Sequence, residues 1–179
     1  MIDFVLLFIR TDDRLKKCTD KSFVKNMKNQ LTWVVKKFAD LAPNELYAIM
    51  QLRNEVFTVE QQCVYQDADN KDQPSCHFMG WLENKLVAYT RLLPPGLAYK
   101  EPSIGRVVTS PAARRSGIGR ELMKRSIAEV YILYGTLPIK IGAQLYLQKF
   151  YSSFGFNQTS AIYLEDNIEH IEMMLAYSL

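Results

Sequence analysis

This sequence predicts an α/β (α+β) fold: a single domain with a mixed central β-sheet and helices on both faces. Three observations predict it. Two early apolar strands are joined by Glu83-Asn84-Lys85, which reads as an antiparallel hairpin. From Ile104 to Ser153, segments of strand and helix character alternate, the mark of parallel crossovers. Two closing strands then flank a turn at Glu165-Asp166-Asn167.

Each element has a local reason. Leu31 to Phe38 is rich in β-branched and aromatic residues and reads as a strand. Pro43 opens a helix expected to reach about Val59, with Leu46, Ile49, Met50, Arg53, Val56 and Phe57 on one face. Cys76 to Leu82 and Leu86 to Leu93 are the hairpin strands, and Pro94-Pro95-Gly96 starts a loop. Ile104 to Thr109 is a strand. Gly117 to about Tyr134 is a helix with Leu122, Met123, Ile127, Val130 and Leu133 inward. Pro138 to Gly142 is a short strand, and Leu145 to Ser153 a helix stopped by Phe154-Gly155-Phe156. The last strands fall near Ser160 to Leu164 and His170 to Tyr177. No repeat or low-complexity tract interrupts the pattern.

The chain of 179 residues divides into 1–30, an appendage or leader, and 31–179, one domain long enough to bury a core. Phe4 to Ile9 is apolar but short. Asp3 precedes it, and neither a basic segment nor a small-residue cleavage site flanks it, so a signal peptide is rejected. Met27 is an alternative natural start. The net charge of +3 is carried by residues 1–30, which hold seven basic and four acidic residues, so 31–179 is neutral. A neutral body argues against nucleic-acid binding. No apolar run approaches the roughly 20 residues that span a bilayer, so no membrane partner is expected. Cys18, Cys63 and Cys76 form no CxxC pair, which fits a reducing cytoplasm. Cys63, Cys76 and His77 lack a fourth ligand and paired spacing, so no metal is expected.

Chemistry is concentrated after the strand ending at Thr109. Arg114-Arg115-Ser116-Gly117-Ile118-Gly119 is an R-x-x-G-x-G turn that opens a helix. Glycines let the backbone approach a ligand, and the helix start adds its positive end. The turn reads as a phosphate cradle for the pyrophosphate of coenzyme A. Six basic residues and one acid lie between Arg106 and Arg125, a local excess suited to a polyanion.

Strand, cradle, helix, strand, helix and then Phe150-Tyr151-Ser152-Ser153-Phe154-Gly155-Phe156 together resemble the GCN5-related N-acetyltransferase superfamily, over roughly residues 31–179. The run Leu52 to Asp69, with Asp72, Gly142-Ala143-Gln144, Leu147-Gln148 and Glu165-Asp166-x-Ile168-x-His170-Ile171, is similar to its ElaA-like branch. The resemblance implies that Arg114, Arg115, Ser116, Gly117, Ile118, Gly119 and Arg120 hold the pyrophosphate. It implies that Val107, Val108 and Thr109 pair with the pantetheine arm, one N–H polarising the thioester carbonyl. Gln144 stands where the superfamily usually has asparagine. Acetyl-CoA is the expected donor, transferring directly to an amine acceptor in a ternary complex.

Residue chemistry supplies the remaining roles. The amine needs a base, the tetrahedral oxyanion a fixed donor, and the leaving thiolate an acid. Tyrosine, with a reference pKa of about 10, stays protonated at neutral pH, so Tyr151 is the candidate acid. Glu60, ending the first helix, is the candidate base. Arg53 and Glu55 occupy neighbouring helical positions and read as a structural pair before a chemical one. Asp67, Asp69 and Asp72 form an acidic loop able to hold a cationic amine. Their D-x-D-x-x-D spacing lacks the glycine and glutamate of a calcium loop. His77 and His170, the only histidines, are further acceptor-side candidates, with Arg53. Two rival readings stand. Arg53, Val56 and Phe57 match the R-x-x-V-F helix of acyl-homoserine-lactone synthases, which use longer acyl donors, and a non-catalytic CoA-binding module could share the fold. Polyamine, amino sugar, antibiotic and peptide N-terminus all fit as acceptor. The final strand, Ile171 to Tyr177, is expected at an exposed edge able to pair across a homodimer.

Overall fold

β1 (Leu31–Lys37), β2 (Cys76–Leu82), β3 (Lys85–Leu93) and β4 (Ser103–Thr109) pair antiparallel in sequence order. The computed structural model describes residues 31–177. The expected appendage 1–30 lies outside the described residues. β5 (Ile139–Gln144) joins β4 in parallel, and β8 (Ile168–Leu175) pairs antiparallel with β5. Two short strands, β6 (Asn157–Gln158) and β7 (Tyr163–Glu165), take the other edge of β8. The sheet therefore has eight strands in the order β1-β2-β3-β4-β5-β8-β6, with β7 also on β8. The helices are α1 (Pro43–Arg53), α2 (Ile118–Tyr134) and α3 (Gln148–Ser152).

Strand alternation builds a core on each face. Phe78, Leu92, Ile104, Ile139, Ile141 and Met173 meet α2 through Ile118, Leu122, Met123 and Val130. On the opposite face Met79, Leu86, Tyr89 and Val108 meet Ile49, Leu52 and Val56 of α1 and its continuation. Full burial of one such aliphatic side chain is worth about 1.5–3 kcal/mol, so both helices are held by packing. β3 is buried along nearly its whole length because both faces are covered.

Ile104 and Val108, four residues apart on one strand, should share a face. They lie in opposite cores. A bulge in β4 changes the parity: Val108 opposes Tyr89 but Gly105 opposes Arg91, so three steps of β4 span two of β3. Arg106 occupies the bulge at φ 52°, a left-handed conformation uncommon for a side-chain-bearing residue.

The expected helix to Val59 is α-helical only to Arg53 and continues as a π-helix, Asn54–Glu60. The wider turn keeps Val56 buried and carries the chain on to Gln61, whose N–H donates to the Val56 carbonyl at 3.2 Å. Leu52, absent from the expected face, is buried beside Arg53. The expected helix 145–153 is a 3₁₀ turn, Leu145–Leu147, followed by α3, because β5 extends to Gln144. Of the strand expected near 160–164 only the end is strand, as β7, and β6 precedes it at Asn157–Gln158. The final strand is not an edge: β5 flanks one side, β6 and β7 the other, and Ile171 and Met173 are buried. Backbone groups expected to be free for a second copy are used within the sheet.

Candidate active site

β4 and β5 part almost as soon as they meet. Ser103 and Lys140 are their one paired position, supported by Lys140 N–H donating to the Pro102 carbonyl at 3.1 Å. A cavity of about 150 Å³ opens where they separate. Ile104 to Val107 form one wall and Gly142 to Gln144 the other. Phe57, Gln61, Cys63 and Tyr65 roof it, Leu147 and Tyr151 close the α3 side, and Glu165, Asp166, Ile168 and His170 come from the β7–β8 hairpin.

Tyr151 is 6% exposed. It lines the cavity, and its hydroxyl has no hydrogen-bond partner among the described residues. Burial, then the neighbouring Tyr146, pushes its phenol well above the ordinary tyrosine value. It is therefore protonated throughout the physiological range. Gln144 also lines the cavity, its Nε2 donating to Gln61 Oε1 at 3.4 Å. Of the three strand residues, Val107 lines the cavity, Val108 is buried beneath α1, and Thr109 stands beside Gly119.

The cradle is a chain of backbone turns. Pro111–Ala113 make a 3₁₀ turn, Arg115 takes φ 61°, and Gly117 takes φ 83° before α2 begins at Ile118. Ser116 Oγ donates to the Ala113 carbonyl at 2.5 Å and accepts the Ile118 N–H at 3.4 Å. Glu121 N–H bonds the Gly117 carbonyl at 3.2 Å, so the N–H groups of Gly119 and Arg120 precede it at the helix start. A Cβ on Gly119 would sit 3.7 Å from Thr109, an ordinary contact. The fold itself does not demand glycine there, and its absence of a side chain leaves the strand end open toward the helix start. Ser110 Oγ, between strand and cradle, is buried without a partner. These features fit a phosphate-bearing cosubstrate lying across the loop.

The charges near the cradle are partly committed elsewhere. Arg114 donates to both Glu60 oxygens at 2.6 and 2.7 Å. Arg125 pairs with Glu121 at 2.6 Å. Arg120 donates to Ser153 Oγ at 2.9 Å and lies over the Phe154 ring. Glu60, placed in this ion pair, is not among the cavity-lining residues.

The acidic loop faces arginines. Asp67 accepts from Arg53 Nε at 2.8 Å, Arg106 Nε at 2.7 Å and Tyr65 at 2.8 Å. Asp69 accepts from Arg91 at 2.6 and 2.8 Å, and Asp72 bridges Arg53 and Arg91 at 2.8 and 2.9 Å. Three carboxylates thus balance three guanidiniums, with Arg53 fully buried. Arg53 reaches across to this loop and not along its helix to Glu55. Arg91 Nε alone in the network is buried without a partner. Removing one member of such a buried pair costs about 3–5 kcal/mol, so the network fixes the roof.

His77 is buried beneath that loop, outside the cavity lining. Its Nε2 donates to the Asp72 carbonyl at 3.0 Å, which leaves Nδ1 to accept from the Tyr89 hydroxyl at 2.9 Å. His170 does line the cavity. Its Nδ1 donates to the Ile168 carbonyl at 2.9 Å, which leaves the Nε2 lone pair available. Sequence reasoning gave no site role to Arg106 at the bulge, to Tyr65 in the roof, or to Glu165 and Asp166, which line the cavity; Cys63, weighed there only as a metal ligand or nucleophile, stands in the roof. The match between three loop aspartates and Arg53, Arg91 and Arg106 was the available signal for the first of these.

A split sheet, a bulged strand and a glycine turn at a helix start define the site of a CoA-dependent acyltransferase fold. The sequence matches the family described as acetyltransferase (GNAT) domain over residues 39–177, and the chain belongs to that family. It is 39% identical over 145 residues to protein ElaA of Escherichia coli, covering 80% of this chain and 95% of that protein. The E. coli ElaA crystal structure superposes with a TM-score of 0.76 at 38% identity, covering 81% of this chain and 99% of the other. An acyl-CoA N-acyltransferase from Pseudomonas aeruginosa gives a TM-score of 0.79 at 44% identity, covering 82% and 99%. Among the described residues no helix is long and apolar enough to cross a membrane.

Proposed function

We propose that this acyltransferase moves an acetyl group from acetyl-CoA to an amine by direct transfer in a ternary complex. The observation that carries the reading is the unpaired Tyr151 hydroxyl in the cavity where β4 and β5 part. The bound thioester supplies an activated acyl carbonyl. Arg114 to Arg120 hold the phosphates with backbone N–H groups, and Arg114 is steadied there by Glu60. A backbone N–H of β4 serves the developing oxyanion. Tyr151 hands its proton to the leaving thiolate. His170 Nε2 takes the proton of the attacking amine, and Glu60, held by Arg114, serves the cradle in place of the base role. Asp67 and Asp69 act through Arg53, Arg91 and Arg106 by ordering the roof. His77 supports the same roof from below.

Free-thiol release from acetyl-CoA over a panel of amines tests this. Tyr151→Phe is expected to lower kcat about 100-fold with acetyl-CoA affinity kept. Full turnover by the variant across pH would remove Tyr151 from the mechanism.

A further inference from the structure

The walls of the cavity carry an uneven charge. Arg106, the one lining arginine, is neutralised by Asp67 and by Asp69, whose Oδ2 is 3.4 Å away. Nearby Glu172 is balanced by Lys140 at 2.8 Å. Glu165 and Asp166 are also lining residues, are exposed, and have no ion-pair partner among the described residues. They stand on a two-residue turn in which Asp166 and Asn167 take φ 50° and 64°. This fixes the carboxylates at the hairpin end of the cavity.

Beside the lining residue Gly142 the surroundings are aromatic and acidic, with Tyr99 and Tyr163 set behind the lining. A Cβ on Gly142 would meet the Tyr99 and Tyr163 hydroxyls at 3.0 and 3.3 Å, so both phenols lie against that stretch of β5. Tyr163 pairs in register with His170, and Glu165 with Ile168, which puts Tyr163, Glu165 and His170 on one face of the hairpin. Burial first, then Tyr163, Glu172 and Glu165, pushes the Tyr99 phenol up to about 12. At the other end of the site, Arg115, Arg120 and Lys124 have no carboxylate within ion-pair distance among the described residues. Independently of these charges, the unpaired Tyr151 hydroxyl, in a side chain 6% exposed, faces the same cavity. That hydroxyl borders the cavity, where a ligand can reach it.

We propose that the acceptor is a primary amine bearing a second cationic group, whose distal charge rests against Glu165 and Asp166 while the reacting nitrogen stands at His170. The inference rests on the acyltransferase reading and names its substrate class. In the transfer, the neutral nitrogen forms the new C–N bond and gives one proton to His170 Nε2. The C–S bond breaks, its electron pair leaves on sulfur, and Tyr151 protonates that thiolate. Amide and free thiol are the products, solvent restores both side chains, and the distal charge is unchanged.

The test uses the full chain, acetyl-CoA, and three acceptors of equal length: a linear diamine, the monoamine, and an amine ending in a carboxylate. The diamine is expected to exceed the monoamine in kcat/KM by about tenfold, with the carboxylate compound slowest. Glu165→Gln combined with Asp166→Asn is expected to collapse the diamine-to-monoamine ratio toward one. Equal kcat/KM for the three acceptors, or a preference that survives in the double variant, overturns the proposal and leaves the acyltransferase reading standing. Bound acetyl-CoA with no thiol release from any acceptor overturns that reading and the proposal with it.

Discussion

His170 and Glu60 are both bases by chemistry, and their partners separate them. Glu60 spends both oxygens on Arg114, whereas His170 uses only Nδ1 and turns the other nitrogen free in the cavity wall. Substituting His170→Gln is expected to lower kcat about 100-fold. Glu60→Gln is expected to act on the KM for acetyl-CoA, by about threefold, with kcat nearly kept. Steady-state thiol release separates the two, and the reverse pattern would restore Glu60 as the base. The sequence made both residues candidates because residue type is visible in it. Partner choice is not: Glu60 and Arg114 are far apart in the chain and meet only after the roof folds over the cradle.

At the scale of elements, the roof between the π-helix and β2 depends on a neutral histidine. Burial drives the proton from His77, and its two hydrogen bonds suit the neutral ring. The unfolded chain takes up that proton below about 6.5, and the native core resists it. Stability is therefore present above that value and declines as pH falls through it toward the lowered native value. Asp69 and Asp72 behave otherwise. Burial alone would raise them, but Arg91, the Lys71 N–H and Arg106 beside Asp69, and Arg53 and Arg91 beside Asp72, hold both below their ordinary 3.8, so their contribution is lost only in stronger acid. The urea midpoint is expected to fall between about pH 7.5 and 5.5, with the difference reduced in His77→Gln. An unchanged midpoint in the wild type would contradict the account. Elements with strong local signals were legible: Ile118–Tyr134 and the hairpin 76–93 stand where periodicity puts them. The π-helix, the β4 bulge and the short strands β6 and β7 were not. Each depends on pairing with distant chain, and no local periodicity encodes it.

For the molecule as a whole, one sheet carries the proposed donor end and the proposed acceptor end, joined at the β4–β5 split. The order of segments from Ile104 to Phe156 disclosed the donor end, since a glycine turn between a strand and a helix is a local feature. The proposed acceptor end is assembled from the roof, the bulge and the last hairpin; Arg53, Asp67, Asp69 and His170 were candidates in the sequence, and their arrangement came only with the fold. The central claim is that the split and the turn together hold a CoA thioester. Calorimetric titration with acetyl-CoA tests it most directly, because binding does not depend on knowing the acceptor. Gly117 takes φ 83°, where a side chain is strained by about 1 kcal/mol. Gly117→Asn, which tolerates that conformation, controls for strain, while Gly117→Glu adds charge at the phosphates. The account predicts binding to the wild type and the Asn variant, and at least about tenfold weaker binding to the Glu variant with its circular dichroism intact. No binding to the wild type, or equal affinity for the wild type and Gly117→Glu, would contradict it.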